Sequence, residues 1–223
     1  LKALEQQGIL RRTQGGALLE DNLQGQTPFA LRSRRNVEAK RRIAAAAAEL
    51  IQPGTTVIVD AGTTTHELCP HLGRFSELTV ITNSLEISLD LKPSANLSVI
   101  LCGGIISETS RSLIGLPAEQ FFSQIHVDLL FLSVRGVSFE KGLTNQNMQE
   151  TPVKRAMMES AHRVIVMADG SKFGHVALSS ISPVTAVDTV ITDASAPPEQ
   201  VAALRERGVT VIVAPERSPR SSN

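Results

Sequence analysis

Val57-Ile58-Val59-Asp60-Ala61-Gly62-Thr63-Thr64-Thr65 decides the fold. It reads as a buried strand over 56–60 that breaks into a glycine and three hydroxyls, with a helix over 65–73 behind it. Two more apolar runs end in the same way. Thr79-Val80-Ile81 runs into Thr82-Asn83-Ser84, and Leu97-Ser98-Val99-Ile100-Leu101 runs into Cys102-Gly103-Gly104. In parallel α/β sheets, ligands bind beyond the carboxyl ends of the strands, where loops and helix N-termini present backbone N–H groups. Three neighbouring ends rich in Gly, Thr, Ser and Asn predict one pocket for a small, polar, anionic ligand. A lone Gly-Thr-Thr-Thr turn caps a helix more often than it builds a site. Its recurrence at the next two strand ends tips the balance.

Outward from this stretch, strands and helices alternate. Strands are expected at 56–60, 78–82, 97–101, 127–132, 163–167, 188–192 and 209–213, and helices at 65–73, 84–91, 115–124, 148–161 and 197–207. This predicts an α/β fold with a mostly parallel sheet and helices on both faces. Gly136 to Gly142 suits a hairpin turn better than a crossover. A helix over 31–51, charged first and then alanine-rich at 44–48, precedes the sheet and stops at Pro53-Gly54. Before it, 21–28 reads as a polar linker, and Ile9–Thr13 with Gln14–Leu19 as two short strands around a turn. Leu1, Leu4, Ile9 and Leu10 read as the end of an amphipathic helix closed near Gly8. The organisation expected is 1–20 as an appendage, 21–52 as linker and connecting helix, 53–214 as the body and 215–223 as a polar tail.

The 223 residues contain no Trp or Tyr, so the core rests on Val, Ile, Leu and Ala. No apolar run reaches the ~18–20 residues of a membrane span, and no signal peptide opens the chain. Two cysteines without metal spacing suggest free thiols in the reducing cytoplasm. The first residue is Leu, which points to a piece of a longer protein. Net charge is zero, yet residues 1–42 hold nine Lys or Arg against four acids, so the remainder carries the opposite excess. That asymmetry fits a polyanion partner at one end, or only a solvated helix face.

Several residues carry candidate chemistry. Gly62 permits close backbone approach, and Thr63, Thr64 and Thr65 offer hydroxyls at a helix start. There is no Walker A loop and no dinucleotide fingerprint. Asp60, beside an anion cradle, takes a sugar hydroxyl or orders the loop. Asp169-Gly170-Ser171-Lys172-Phe173-Gly174 places a carboxylate and an ammonium at a further strand end, with Lys172 suited to phosphate. Glu150 and Lys154 form an i, i+4 helix pair, or Lys154 points into the pocket. The five histidines show no metal spacing, and neither a metal nor a cofactor is expected.

These motifs together resemble the DeoR family of bacterial transcriptional regulators. The matching residues are Leu4-Glu5-Gln6-Gln7-Gly8-Ile9-Leu10-Arg11-Arg12 with Gly15-Gly16-Ala17, then Asp60 to Thr65, Ile81 to Ser84, Gly103-Gly104, Gly115, Lys154-Arg155-Ala156-Met157 and Asp169 to Gly174. The resemblance runs from residue 1 to about 213 and implies a sensor domain similar in fold to ribose 5-phosphate isomerase and CoA transferases. It also implies that residues 1–20 are the remnant of a winged helix-turn-helix, with Arg11 and Arg12 contacting operator DNA. The effector implied is a phosphorylated sugar, bound by Asp60, Gly62, Thr63, Thr64, Thr65, Thr82, Asn83, Gly103, Gly104, Arg135, Lys154, Asp169 and Lys172. The function expected is repression of a sugar catabolic operon by a homo-oligomer, without membrane contact. The alternative is a sugar phosphate isomerase on the same fold, with Asp60, Glu150 or Asp169 as base. In one place the chain departs from the family: Ser133-Val134-Arg135-Gly136-Val137 stands where the usual pattern is Gly-x-x-Gly-Ile.

Overall fold

The computed structural model describes residues 10–13, 16–19 and 27–216, the first two segments only as backbone strands. The reading of residues 1–8 as a helix end, most of the 21–28 linker and the tail beyond 216 lie outside these residues. So do the side chains of Arg11 and Arg12. β1 (Leu10–Thr13) and β2 (Gly16–Leu19) pair antiparallel with Leu10 opposite Leu19, the two short strands expected there.

The helix expected over 31–51 is two helices, α1 (Phe29–Ser33) and α2 (Val37–Ala48). The break falls before Asn36, which sits at φ 51°. Asn is one of the few side chains that tolerates this left-handed conformation, because its short amide can bond locally. Ala44, Ala47 and Ala48 are fully buried, and their small size lets α2 lie close against the sheet.

β3 (Thr56–Val59) opens the body. The helix expected over 65–73 is shorter and tighter: a 3₁₀ turn over Thr65–Leu68 runs into α3 (Cys69–Leu72). Pro70 has no N–H to give to the residue 66 carbonyl, so a regular helix cannot pass through. β4 (Leu78–Thr82), α4 (Leu85–Asp90) and β5 (Leu97–Leu101) follow as expected. A hairpin of β6 (Ile105–Ser107) and β7 (Ser112–Ile114) then leads to α5 (Leu116–Ser123) and β8 (Val127–Ser133). β9 (Gly136–Ser138) and β10 (Gly142–Asn145) pair antiparallel, as the glycines at 136 and 142 suggested. α6 (Thr151–Ser160) leads straight into β11 (Ala161–Met167). β12 (Ser179–Ser182), β13 (Thr189–Asp193), α7 (Pro198–Glu206) and β14 (Thr210–Ala214) complete the chain. β6, β7 and β12 were not legible as strands, being three or four residues long with no clear alternation.

The seven expected strands form one parallel sheet in the order β14-β13-β11-β8-β3-β4-β5. From β3 the chain winds one way through β4 and β5, then returns to β8 and winds the other way. Alternate side chains of each strand feed two separate cores. Val57, Val59, Leu129, Phe131 and Ile165 pack with Ile43, Ala47, Leu68 and Leu72 on one face. Ile58, Leu130, Leu132 and Val164 pack with Phe122, Met157 and Leu204 on the other. Helices therefore cover both faces, and the direction of winding reverses between β3 and β8. That reversal is the position at which open α/β sheets bind their ligands.

Candidate functional site

A cavity of about 520 Å³ opens at this switch point, within the ~300–1,000 Å³ range of small-molecule sites. Thr63 and Thr64 after β3, Ser133 to Arg135 at the end of β8, and Asp169, Ser171 and Lys172 after β11 line one side. The opposite wall comes from the connecting segment: Arg32, Arg35, Asn36 and Lys40. Among the described lining residues there are five Lys or Arg and one carboxylate, Asp169. Such a surface selects an anion.

The expectation that three neighbouring strand ends share one pocket is corrected. Thr82, Asn83, Gly103 and Gly104, at the ends of β4 and β5, line neither this cavity nor a smaller one beside it. Their groups are engaged in holding the fold. The Thr82 hydroxyl donates to the Val59 carbonyl at 2.6 Å, and Asn83 Oδ1 accepts the Ala61 N–H at 2.9 Å. Thr65 is also turned away: its Oγ1 donates to the Asp60 carbonyl at 2.7 Å and lies 3.0 Å from that of Gly62. The short 3₁₀ turn behind it supplies little of the helix dipole expected there.

Gly62 is needed for the loop's packing. A Cβ added to it would lie 2.1 Å from Ser133 Oγ. Ser133 therefore fills the space above Gly62, and the two residues are one fitted pair.

Asp60 makes the bonds of a loop-ordering residue. It is fully buried, and its Oδ2 accepts from Lys154 Nζ at 2.5 Å and from the Ser133 N–H at 3.0 Å. Lys154 Nζ also donates to the Ser133 carbonyl at 2.9 Å, so the pair clamps the end of β3 to the end of β8. Burial pushes the Asp60 carboxyl up, while Lys154 and the Ser133 amide pull it back down. Asp60 Oδ1 has no partner among the described residues. Lys154 reaches the smaller cavity, next to Glu150. Burial raises Glu150, but Lys154 and the Asn145 side chain outweigh it and hold it below the ordinary carboxylate value. The i, i+4 pair read on α6 is thus half of a buried cluster.

Asp169 links the two walls of the main cavity. It accepts from Asn36 Nδ2 at 3.1 Å and from the Ser171 N–H at 3.0 Å. Lys40 stands opposite, donating to the Arg32 carbonyl. Burial lowers its ammonium to about 8; Asp169 opposes that shift, while Lys172 and Arg32 reinforce it. Of the residues expected in the site, Thr63, Thr64, Arg135, Asp169 and Lys172 line this cavity; Arg32, Arg35, Asn36, Lys40, Ser133 and His175 line it without having been expected there. The signal was the excess of cations in the first 42 residues. That excess fitted a polyanion partner or a solvated helix face; part of it lines this cavity.

The free thiols of Cys69 and Cys102 are each pushed by burial to about 12, so neither offers a thiolate at neutral pH. Among the described residues, no three His, Cys, Asp or Glu converge to hold a metal ion. Nor is any helix there long and apolar enough to cross a membrane.

The family model for the DeoR C terminal sensor domain matches residues 35–194. The chain belongs to the DeoR family. HTH-type transcriptional regulator GolR of Listeria innocua serovar 6a is 38% identical, over 86% of this chain and 76% of that protein. Transcriptional repressor AccR of Agrobacterium fabrum is also 38% identical, over 86% and 75%. The glycerol-3-phosphate regulon repressor of Escherichia coli is 32% identical, over 88% and 78%. This DeoR-family chain is therefore a transcriptional regulator and not an isomerase. Ribose 5-phosphate isomerase A from Methanocaldococcus jannaschii aligns at 16% identity, over 62% of this chain and 55% of that one, with a TM-score of 0.44. eIF2B delta from Chaetomium thermophilum aligns at 16%, over 82% and 58%, with a TM-score of 0.49. The chain thus spans a little over half of each of those two structures, and neither bears on its ligand.

Proposed function

We propose that residues 53–214 sense a phosphorylated sugar or related metabolite in the switch-point cavity and transmit its presence to DNA-binding heads. In this reading residues 1–20 are the remnant of a winged helix-turn-helix and 21–52 connect it to the sensor. The whole acts in the cytoplasm as a homo-oligomeric repressor of a sugar catabolic operon. The observation that carries the reading is the ring of five basic side chains against one carboxylate at the switch point. Lys40, Lys172 and Arg135 bind the phosphate, with the Thr63 and Thr64 hydroxyls beside it. Asp169 takes a sugar hydroxyl. Asp60 and Lys154 hold the floor and do not touch the ligand.

Arg32, Asn36 and Lys40 belong to the segment that leads to the DNA-binding end. A ligand bridging them to the β11 loop pulls on that segment directly, which gives it a differential contact between two states.

Thermal-shift screening tests this with phosphorylated sugars beside their unphosphorylated counterparts. A true effector at ~100 times its dissociation constant stabilises by about 2.7 kcal/mol, and the free sugar at the same concentration does not. Equal shifts from both forms would remove the phosphate from the recognition.

A further inference from the structure

The smaller cavity is a chamber of about 20 Å³, room for one water-sized group. It shares Arg32, Ser133, Arg135 and Gln146 with the main cavity as lining. Lys40, Lys172 and Asp169 line only the larger space. A sugar whose phosphate lies on the two lysines therefore presents another of its groups to the chamber.

One side of the chamber is the tip of the β6–β7 hairpin, with Thr109 and Ser110. The segment after β4, which bypasses the main cavity, holds that hairpin in place. The Asn83 carbonyl accepts the Leu113 N–H at 2.7 Å, and the Leu85 N–H donates to the Arg111 carbonyl at 3.0 Å. The other side includes Glu150. This residue stands at the N-cap of α6, yet its carboxylate bonds none of that helix's N–H groups. Its Oε1 accepts from Asn147 Nδ2 at 3.2 Å, and its Oε2 from Asn145 Nδ2 at 2.9 Å. A carboxylate offers about four acceptor positions, so these two amides leave part of its capacity unused.

Size and charge then select what fits beside it. An acetamido group exceeds the volume, and a second anion is repelled by the ionised Glu150. An ammonium meets Lys154 and Arg32, which also line the chamber. A hydrogen or methyl takes water away from the carboxylate and gives no donor in return. A hydroxyl is small, uncharged and a donor.

We propose that the chamber is a hydroxyl-recognition subsite, in which Glu150 accepts a hydrogen bond from one unsubstituted hydroxyl of the bound sugar phosphate. The subsite rests on reading the main cavity as a sugar phosphate site, and it adds a specificity element to it. Lys154 acts here only through its charge, by keeping Glu150 ionised.

Calorimetric titration and thermal shift with ribose 5-phosphate, glucose 6-phosphate, fructose 6-phosphate and inorganic phosphate test it. Glu150→Gln keeps the side chain's size but replaces one acceptor oxygen by a donor. Each sugar phosphate that stabilises wild type should bind this variant about tenfold to a hundredfold more weakly, the loss of one hydrogen bond to a charged group. Inorganic phosphate, too small to span both spaces, should bind the two proteins alike. A crystal structure of wild type with the bound sugar phosphate gives a second reading that needs no variant. A sugar hydroxyl oxygen is expected there within hydrogen-bond distance of Glu150. Unchanged sugar phosphate affinity in the variant overturns the subsite. So does an equal loss for inorganic phosphate, which makes Glu150 a support of the main cavity, or a water beside Glu150 with the sugar bound elsewhere. These three results leave the sensing of a phosphorylated sugar intact. A wild type that none of the three sugar phosphates stabilises beyond inorganic phosphate overturns the sensing and the subsite together.

Discussion

Lys154→Met is expected to destabilise the chain by about 3–5 kcal/mol at pH 7, because it leaves the buried Asp60 carboxylate without its counter-charge. Denaturant unfolding measures the loss. Its pH dependence separates this cause from simple misfit of the new side chain. Burial raises the folded Asp60 carboxyl above its unfolded value, and removing Lys154 raises it further. A carboxyl raised on folding binds its proton more tightly in the native state, so its penalty is present at high pH. The penalty is relieved as pH falls through the folded value towards the ordinary carboxylate range. The difference between variant and wild type should therefore shrink as pH is lowered. Adding Asp60→Asn should recover much of the loss at pH 7, because no charge is then stranded. A difference that stays constant with pH would assign the loss to packing.

The second large effect is on ligand affinity. Removing either Lys40 or Lys172 by substitution with Ala should weaken a phosphorylated effector by about tenfold to a hundredfold, the cost of one charged hydrogen bond. Lys40 also carries a signature in pH. Its ammonium titrates at about 8 in the protein, below its ordinary value of 10.5, because burial disfavours the charged form. A bound phosphate favours the charged form, so affinity should fall as pH rises through about 8. Lys40→Arg keeps its charge at that pH and should flatten the profile. Without ligand the sign is the opposite. The buried cation is a cost at neutral pH, and the cost is relieved as pH climbs from about 8 towards 10.5. Isothermal titration between pH 7 and 9 measures the first effect. A wild-type profile as flat as that of Lys40→Arg would remove Lys40 from the site.

The parallel sheet was legible because its strands are short runs rich in Val, Ile and Leu, separated by turns and helical patterns. The loop chemistry was legible only in part. A sequence shows that Thr82, Asn83 and Gly103 follow strands, but not that β4 and β5 lie on the far side of the reversal between β3 and β8. Strand order decides which loops converge, and order depends on crossover directions that local patterns do not encode. The wall from α1 and α2 was hidden for a different reason. Arg32, Arg35 and Lys40 precede the sheet and look like an exposed helix face. Only the break at Asn36 and the packing of the alanine run fold them back over the strand ends. Asp60 had two readings, and the i, i+4 pair of Glu150 and Lys154 one ordinary one. Their common cluster rests on a contact across 94 residues between Asp60 and Lys154, which no local pattern displays.

In the proposed function a phosphorylated metabolite occupies the cavity between the β3, β8 and β11 loops and the connecting segment. Its most direct test is a crystal structure of the chain with the phosphorylated sugar that gives the largest thermal shift. The phosphate is expected within hydrogen-bond distance of Lys40 and Lys172 Nζ, with Thr63 or Thr64 beside it. A phosphate bound instead at the ends of β4 and β5, against Asn83 or Gly103, would contradict the account.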